Sequence, residues 1–477
     1  MEYLYDKLLK YRNSNYYGFH MPGHKRNGDL TGCDLPYGLD ITEIDGFDDL
    51  HHAEGILLQA QKRAASVYRA DQTFYLINGS TSGILSAVMG CTAKGDKILC
   101  ARNCHRSVYH AIYMNELRPV YIYPEFYSDI ELNGPINAAE VTMALEQYSD
   151  ISAVVITSPT YDGVVSDVGA IAEAAHRKGI PLIVDEAHGA HFGMHPYFPE
   201  NSNVLGADVV IHSLHKTLPS LTQTALIHLN GSFVDRREIK RYLHMLQTSS
   251  PSYVLMAGMD ECIRMLDTEG AGCFQIYVEL LEKLRKRLGR LKNLKLAETD
   301  SFDRSKIVIS VKGTGITSKE LYEVLLNKYH LQMEMTAGSY VLAMTSVGDT
   351  EEGMERLAGA LEEIDARIAS EKGSATKLVD QQQLHFALPR LKQVYTSAET
   401  GMIMKNNVSA SVYKSWETSE GFVSTEYAYI YPPGIPLIVP GEEITAEAAL
   451  LLRAYESMGF SVEGPEKEEK IEVLGNE

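Results

Sequence analysis

Short apolar runs alternate with helix-like segments between residues 70 and 230 of the chain. Seven runs are rich in strand-forming residues, at residues 74–77, 97–100, 120–123, 153–157, 181–184, 209–212 and 224–228. Several are apolar at consecutive positions, which is typical of strands buried between two layers of helices. The segments between them predict helices at residues 83–89, 107–114, 138–148 and 170–178. This alternation predicts an α/β fold with one large, mostly parallel sheet of seven strands.

The pattern changes on both sides of this region. Residues 1–70 combine a short amphipathic helix, a Gly/Pro/His-rich stretch and an acidic segment, and we expect them to form an arm that packs against something else. Beyond residue 251 the pattern is helical, and it then predicts a smaller α+β unit. Its predicted elements are strands at residues 306–311 and 340–345 and helices at residues 318–328 and 351–370.

The predicted domains are an arm at residues 1–70, a large domain at 71–265, a small α+β domain at 266–375 and a C-terminal domain at 376–477. A polar, Gly/Ser-containing segment at residues 371–377 predicts a linker or exposed loop near the last boundary. The charged residues 466–477 are expected to fray.

Composition narrows the class of protein. The 477 residues carry a formal net charge of −19 without a Lys/Arg-rich stripe, which argues against nucleic acid or an anionic membrane as a partner. Apolar residues make up 45% and charged residues 22%, as in ordinary globular proteins. No apolar run approaches the roughly 18 residues of a membrane span, and the N-terminus lacks a cationic leader, so we expect a cytoplasmic protein. The six cysteines lack zinc-type spacing and are expected to be reduced.

A lysine follows the sixth predicted strand. Ser213, His215 and Lys216 lie just beyond residues 209–212, where the carboxyl end of a strand places ligand-binding groups in open α/β sheets. A partly desolvated lysine there is a nucleophile. A surface lysine that simply ends a strand can have the same local sequence. This segment therefore does not by itself distinguish a nucleophilic lysine from a surface lysine.

An acidic residue follows the fifth predicted strand. Asp185 comes directly after residues 181–184, and the interval to Lys216 accommodates one helix and one strand. Both side chains are therefore expected at the same edge of the sheet. An aspartate at a strand end also commonly caps a helix, which is the alternative.

A small, polar turn at residues 78–83 (Asn-Gly-Ser-Thr-Ser-Gly) connects the first predicted strand to a helix. Its Gly and Ser residues permit close backbone approach, and the helix N-terminus offers free N–H groups to a phosphate. Such turns also occur without a ligand. Neither the GxGxxG nor the P-loop pattern occurs, which argues against dinucleotide and P-loop sites.

Two histidine-containing segments complete the candidate chemistry. His105 follows the second predicted strand, and its imidazole could stack on a flat ring, although a loop histidine is often only solvated. Residues 185–191 (Asp-Glu-Ala-His-Gly-Ala-His) also suggest a metal site, but they lack HExxH spacing. A lysine, a carboxylate, a phosphate cradle and a ring-stacking group are what a site for pyridoxal 5′-phosphate (PLP) needs, so PLP is the favoured cofactor and no metal is expected.

With these residues assembled, the chain resembles the Orn/Lys/Arg decarboxylase family of fold-type I, aspartate aminotransferase-like PLP enzymes, in particular its short Gram-positive-type members. The resemblance runs nearly end to end. It is carried by residues 19–25, 40–43, 48–51, 78–83, 103–107, 160–163, 185–191, 213–216 and 431–436.

The resemblance implies roles for the matching residues. Lys216 would be the Schiff-base lysine, Asp185 the partner of the ring nitrogen and His105 the stacking imidazole. The implied phosphate-binding residues are Ser80, Thr81, Ser213 and His215. Family active sites lie between two subunits, so Ser249 and Ser250 would reach the neighbour's phosphate, and a homodimer or dimer-based oligomer is expected.

Departures from the family pattern qualify these roles. The longer members begin with a wing domain that this sequence does not show, so decamers built on it are not expected. Where a large lysine or arginine enzyme has an aromatic residue three positions after the aspartate, this chain has His188. His188 is therefore expected among the cofactor-binding residues, with different surroundings for the cofactor ring. Glu426 is a candidate for the distal cation of a substrate, with an exposed glutamate as the alternative.

The implied reaction is decarboxylation of a basic amino acid to its amine and CO2, a step of polyamine biosynthesis. Arginine and lysine are favoured on family grounds, and ornithine remains open. A PLP fold does not itself choose the bond that breaks, so an aminotransferase or another lyase is the alternative. A non-catalytic binding protein is a further alternative, against which the presence of both Lys216 and Asp185 argues.

Overall fold

The computed structural model describes residues 2–17, 19–27, 31–371, 387–407, 411–430 and 434–475. The helices within them are α1 (Leu4–Arg12), α2 (Ile56–Tyr68), α3 (Gly79–Cys91), α4 (Arg106–Met114), α5 (Ala138–Gln147), α6 (Val168–His176), α7 (Leu214–Thr217), α8 (Arg236–Leu246), α9 (Tyr253–Thr268), α10 (Gly270–Leu288), α11 (Ser318–Tyr329), α12 (Glu351–Glu371), α13 (Ser397–Asn406) and α14 (Ala446–Ser457). The strands are β1 (Gln72–Leu76), β2 (Lys97–Ala101), β3 (Arg118–Ile122), β4 (Phe126–Tyr127), β5 (Leu132–Asn133), β6 (Ile151–Thr157), β7 (Leu182–Asp185), β8 (Val209–Ser213), β9 (Ala225–Leu229), β10 (Lys295–Ala297), β11 (Lys306–Ser310), β12 (Met335–Ala337), β13 (Tyr340–Met344), β14 (Lys392–Gln393), β15 (Ser411–Ser415), β16 (Ala428–Ile430), β17 (Ile435–Ile438), β18 (Glu442–Glu443), β19 (Val462–Glu463) and β20 (Lys470–Leu474).

The largest sheet has seven strands in the order β1-β9-β8-β7-β6-β2-β3. These are the seven apolar runs of the sequence, with ends displaced by no more than two residues. The pairs β7–β8, β2–β6 and β2–β3 are parallel, whereas β9 is antiparallel to both β8 and β1. The predicted α/β fold with a mostly parallel seven-stranded sheet is confirmed.

The chain divides into two compact units, of which the first comprises Met1–Cys91, Val168–Val278 and Ser346–Gly348. The expected N-terminal helix is α1, and it is attached to α9 of this unit. The amide of Leu4 donates to the buried carboxylate of Asp260 at 2.9 Å, and the guanidinium of Arg63 donates to the same carboxylate at 2.5 Å. Because a buried carboxylate is costly without donors, these two contacts stabilise the attachment of α1.

Helix α3 packs closely on the sheet within the first unit because Gly83 lacks a side chain. A Cβ at this position would lie 2.5 Å from Cδ1 of Leu76 on β1 and 3.5 Å from Cγ2 of Ile211 on β8. The close approach fixes the helix over these strands. Because β1 ends at Leu76 and α3 begins at Gly79, the N-terminus of α3 lies at the carboxyl end of β1.

The second unit comprises Thr92–Asp167, Glu279–Thr345 and Asp349–Glu477. It contains the four-stranded antiparallel sheet β10-β11-β13-β12, which confirms the α+β pattern predicted from residue 306 onward. The predicted linker at residues 371–377 lies, after residue 371, outside the described residues. The four-part domain division proposed from the sequence stays a prediction.

The expectation that the C-terminal tail frays is wrong for residues 470–474. They form β20, which pairs antiparallel with β15. Ile471 and Val473 are fully buried in an apolar cluster that includes Trp416 and Leu452. The alternation of these two apolar residues with charged neighbours is a strand pattern that the high charge of the segment obscured.

The described helices include none with the length and apolar composition that crossing a bilayer requires. All six cysteines lie within the described residues and are free thiols.

Candidate active site

Lys216 lies in a tight connection between two antiparallel strands of the first unit. Strand β8 ends at Ser213, the single turn α7 carries Lys216, and the chain returns at residue 225 to form β9. The carbonyl of Thr224, at the end of this connection, accepts two hydrogen bonds from its beginning. The donors are the amide of Leu214 at 3.2 Å and Nδ1 of His215 at 2.9 Å. The backbone around Lys216 is therefore fixed by the sheet itself.

The side chain of Lys216 contacts His188. Its Nζ lies 2.9 Å from Nε2 of His188, which is buried in the segment after β7. When Lys216 is a charged ammonium, it is the donor of this hydrogen bond and Nε2 of a neutral imidazole is the acceptor. His188 thus orients the predicted nucleophile, a contact that its spacing in sequence did not reveal.

Asp185 is the last residue of β7 and is 4% exposed. Its Oδ1 accepts a hydrogen bond from the amide of Ala187 at 3.2 Å. Burial raises the pKa of this carboxyl group, and the positive charge of Lys216 opposes the rise. A buried carboxylate of this kind is stabilised by a cationic partner, as the predicted ring nitrogen would be.

The predicted phosphate turn and the end of β8 meet through their hydroxyl groups. Oγ of Ser80 lies 2.8 Å from Oγ of Ser213, which is fully buried. Helix α3 begins at Gly79, whose φ of +72° is readily adopted by glycine, and Thr81 is exposed in its first turn. The first amides of a helix have no intrahelical acceptor, so this turn presents N–H groups and hydroxyls together.

His215 is held beside this turn by the bond from its Nδ1 to the carbonyl of Thr224. Burial lowers its pKa, and Lys216 contributes in the same direction by its charge. The bond fixes the proton on Nδ1, which leaves Nε2 as the nitrogen for a ligand.

Ser249 and Ser250 are exposed, and they follow a segment that is attached to the phosphate turn within the same chain. Oε1 of the buried Gln247 accepts from the amide of Ile77 at 2.8 Å, and the amide of Thr248 donates to Oδ1 of Asn78 at 3.3 Å. The predicted contact of the two serines with a neighbouring subunit stays a prediction.

The remaining two predicted site residues belong to the second unit. His105 is the N-cap of α4, and its Nδ1 lies 3.3 Å from the amide and 2.9 Å from the hydroxyl of Ser107. Glu426 accepts hydrogen bonds from the amides of Glu466 and Glu472, at 2.8 and 2.7 Å. Burial raises the pKa of Glu426. Its carboxylate joins segments of the C-terminal region, and cation recognition by Glu426 stays a prediction.

The alternative of a metal site at residues 185–191 gains no support. Among the described residues, no group of three or more His, Cys, Asp or Glu side chains is arranged to hold a metal ion. The residues of this segment instead have separate partners. Asp185 accepts from Ala187, His188 contacts Lys216, and Glu186 contacts His212 at 2.7 Å.

Comparison with known protein families identifies the class of this site. The family profile described as "Orn/Lys/Arg decarboxylase, major domain" matches residues 3–386, and the profile of the family's C-terminal domain matches residues 381–466. The chain belongs to the Orn/Lys/Arg decarboxylase family. It is a decarboxylase of that family, which confirms the resemblance found in the sequence. Residues 431–436 contributed to that resemblance, but residues 431–433 lie outside the described residues.

Two curated relatives of similar length strengthen this assignment. An arginine decarboxylase of Bacillus anthracis is 31% identical over 480 residues, covering 97% of this chain and 94% of the relative. An arginine decarboxylase of Bacillus subtilis is 30% identical over 480 residues, covering 97% and 95%. These alignments extend across both units of this Orn/Lys/Arg decarboxylase.

Solved structures confirm the fold. A lysine decarboxylase of Francisella novicida superimposes with a TM-score of 0.83 at 20% identity, covering 99% of this chain and 81% of that one. A serine palmitoyltransferase of Sphingomonas wittichii superimposes with a TM-score of 0.55 at 16% identity over 68% of this chain. The second match shows that a part of this fold, covering 68% of the chain, also occurs in a serine palmitoyltransferase.

Proposed function

We propose that this Orn/Lys/Arg decarboxylase uses PLP to convert arginine into agmatine and CO2. The observation that carries the proposal is the position of Asp185 at the carboxyl end of β7, of Lys216 just beyond that of β8, and of the Ser80–Ser213 hydroxyl pair, which joins the segment after β1 to the end of β8. Arginine is preferred over lysine because the two similar-length Bacillus relatives are both named arginine decarboxylase.

The residues of the first unit fit PLP. The phosphate turn offers backbone amides and side-chain hydroxyls at the N-terminus of a helix. Such an N-terminus binds an anion such as phosphate without a cationic side chain. Asp185 is a buried carboxylate, and a nearby cation would stabilise its charged form. The protonated ring nitrogen of PLP would be such a cation. When bound, PLP supplies a ring that accepts the electron pair left as the bond between Cα and the carboxylate breaks.

Each residue then has a task in this reaction. Lys216 would hold the cofactor covalently through Nζ, and His188, as the acceptor in its hydrogen bond with Lys216, would orient that nitrogen. Asp185 would keep the proton on the ring nitrogen, which the electron-accepting role of the ring requires. Ser80, Thr81, Ser213 and His215 would bind the phosphate, His105 would stack on the ring, and Ser249 and Ser250 would contribute to the phosphate site of a second subunit.

The shared phosphate site would make a homodimer the smallest active form. The six free thiols agree with a reducing compartment, so we place the enzyme in the cytoplasm, where agmatine would enter polyamine biosynthesis. A charge-assisted hydrogen bond to the guanidinium of the substrate would select arginine, and Glu426 is the candidate acceptor.

The test compares Lys216→Ala with a control, Lys240→Ala, on the exposed face of α8 in the same unit. The purified wild-type protein is expected to bind PLP, to become irreversibly labelled on borohydride reduction, and to release CO2 fastest from arginine among arginine, lysine and ornithine. Lys216→Ala should lose the label and at least about 10³-fold in kcat, whereas Lys240→Ala should retain both.

Two results would overturn the proposal. A Lys216→Ala protein that still forms the covalent label and turns over would remove the assigned lysine. A wild-type protein that gives a stoichiometric keto acid in place of CO2 would favour the aminotransferase alternative, and one that prefers lysine or ornithine would refute the assignment of arginine.

A further inference from the structure

A line of hydrogen-bonded side chains crosses the sheet of the first unit behind the candidate active site. Oε1 of Glu186 lies 2.7 Å from Nε2 of His212, and Nδ1 of His212 lies 3.0 Å from Nε2 of His228. Nδ1 of His228 lies 2.7 Å from Oγ1 of Thr73. We call Glu186, His212, His228 and Thr73 the sheet relay. Its contacts join the end of β7 to β8, β8 to β9, and β9 to β1.

The sheet relay is buried, and its polar atoms are paired. Glu186, His212 and His228 are at most 1% exposed, and Thr73 is 3% exposed. The carboxylate of Glu186 also accepts from the amide of Ser202, at 3.1 and 3.2 Å to its two oxygens, and from the hydroxyl of Ser202. Unpaired polar groups at this depth would be costly, so the complete pairing makes the relay a rigid part of the sheet.

The sheet relay and the predicted cofactor residues occupy opposite faces of the same strand ends. Asp185 is paired with Ile211 across β7 and β8, and Ser213 lies two residues further on the same face. Glu186 and His212 directly follow Asp185 and directly precede Ser213 in the chain, so their side chains point to the other face of the sheet. There the side chains of Glu186 and His212 contact each other, and the ring of His212 packs against that of Tyr68. Each of the two cofactor residues is therefore one peptide unit away from a relay member.

The proton arrangement of the sheet relay has two self-consistent forms. Burial lowers the pKa of His228 well below its ordinary value, so this imidazole is neutral and carries one proton. Nε2 of His212 donates to Glu186 in both forms. In the first form His212 also donates from Nδ1 to His228, which donates to Thr73, and His212 is a positively charged imidazolium. In the second form His212 is neutral and accepts from His228, which accepts from Thr73, so the two forms differ by one proton.

We propose that the sheet relay positions Asp185 and sets how firmly Asp185 holds the proton of the cofactor's ring nitrogen. The inference rests on the proposed function, since it assumes that Asp185 faces PLP. The charged groups that act on Asp185 are Lys216 on its own face and Glu186 and His212 behind it. Of these two relay members, His212 lowers the pKa of Asp185 and Glu186 raises it, so loss of the charge of Glu186 alone makes Asp185 a weaker base.

The test uses three substitutions in the sheet relay. Glu186→Gln preserves shape and removes the charge, His212→Leu breaks both contacts of the imidazole, and His212→Gln retains a donor toward Glu186. The control is His176→Gln, which alters a second histidine–carboxylate pair, with Nε2 2.8 Å from Oδ2 of Asp208, at the amino end of β8. The readouts are the Kd of the apo-protein for PLP and the chemical shift of the ring nitrogen in ¹⁵N-labelled PLP bound to the protein.

We expect Glu186→Gln to move the ring ¹⁵N signal toward that of fully protonated pyridinium, because a weaker base at Asp185 draws the shared proton less strongly away from the ring nitrogen. His212→Leu should weaken PLP binding about tenfold, the factor that one lost hydrogen bond to a charged group represents, and His212→Gln should recover part of that loss. His176→Gln should leave both readouts unchanged. If His212→Leu does not fold, Glu186→Gln decides the question.

The failures of the two proposals are distinguishable. A wild-type protein that does not bind PLP overturns the proposed function. A wild-type protein that binds PLP while Glu186→Gln and His212→Gln reproduce its Kd and its ¹⁵N signal overturns the positioning role and leaves the proposed function intact.

Discussion

The ammonium of Lys216 lies 2.9 Å from Nε2 of His188. The contact joins the connection between β8 and β9 to the segment that follows β7, so it depends on the path of two loops rather than on spacing in sequence. The imidazole of His188 is the acceptor of this hydrogen bond when the lysine is a charged ammonium.

Replacing His188 by Phe tests the importance of that bond. Phe keeps the ring and removes the acceptor, so we expect PLP to remain bound while kcat for arginine falls about tenfold to a hundredfold, the range for one lost hydrogen bond to a charged group. The control is His195→Phe, at a more exposed histidine whose Nε2 lies 3.2 Å from Oε1 of Gln275. Equal kcat values in the two variants would contradict an orienting role for His188.

Replacing Asp185 by Asn should separate stability from function. A raised pKa means that the fold disfavours the charged carboxylate, so stability is greatest below the unfolded pKa and falls as the pH rises through the folded pKa. At a pH above both the unfolded and the folded pKa, the charged carboxylate destabilises the fold to its full extent. The neutral side chain of Asn removes this destabilisation. We expect the apo-protein to melt about 2 °C higher at neutral pH, and PLP binding to weaken, as for other residues that trade stability for function.

The control for this prediction is Asp71→Asn, an exposed carboxylate that pairs with Arg236 at 2.8 Å. It should not raise the melting temperature, because its charge is solvated. Melting of both apo-proteins at several pH values provides the measurement. An Asp185→Asn protein that is less stable than wild type near pH 7 would show that the buried carboxylate stabilises the fold.

The hydroxyl pair of Ser80 and Ser213 predicts a non-additive effect on PLP affinity. Because the two oxygens lie 2.8 Å apart, we expect them to bind the phosphate as one unit. Either alanine substitution should weaken PLP binding about tenfold, and the double substitution should cost less than the product. Ser82→Ala is the control, since its hydroxyl already donates to the carbonyl of Gly79. Titration of the four apo-proteins with PLP gives the coupling, and strict multiplicativity would argue against a shared ligand.

Two helical glycines should respond in opposite directions to alanine. At Gly83 the new Cβ would meet the terminal methyl of the fully buried Leu76 at 2.5 Å, so either this side chain or α3 must shift and we expect a loss of about 1–3 kcal/mol of stability. At Gly272 in α10 nothing lies within 4 Å of that Cβ, and alanine should stabilise by about 0.5–1 kcal/mol. Denaturant unfolding of both variants is the measurement. A neutral Gly83→Ala would show that α3 is not fixed by its contact with the sheet.

The second unit holds a buried ion pair between Arg102 and Glu442, whose side chains are 1% and 2% exposed and 3.2 Å apart. Glu442→Ala leaves the guanidinium buried with only the carbonyls of Pro436 and Leu437 and its aromatic neighbours, and we expect a loss of about 3–5 kcal/mol. A simultaneous change of Arg102 to Met should restore most of that stability. If the double variant is as unstable as Glu442→Ala, the uncompensated charge is not the cause.

Much of the large sheet was predictable because its strands are short, continuous apolar runs. The same runs carry no sign of direction, so the antiparallel orientation of β9 did not follow from them. The strands of the C-terminal region, such as β14 and β18, have two residues each, which is too short for a periodic pattern. They exist because neighbouring segments are brought together by the tertiary fold.

The candidate site was predictable where the chemistry follows directly after a strand, as for Asp185 and Lys216. The sheet relay was not predicted because its members lie on or beside different strands. The pairing between strands cannot be predicted from local sequence. One signal was available. His212 and His228 are polar residues within otherwise apolar runs, and such residues require buried partners.

The closed connection around Lys216 limits how this lysine can move. Its backbone begins and ends in hydrogen-bonded strands, and the amide of Leu214 and Nδ1 of His215 both donate to the carbonyl of Thr224, so a backbone movement at residues 214–216 would have to break these two bonds. Rotation about the four-carbon side chain moves Nζ without breaking them. A homologue or designed variant with extra residues in this connection would lose the fixed pivot from which that side chain swings.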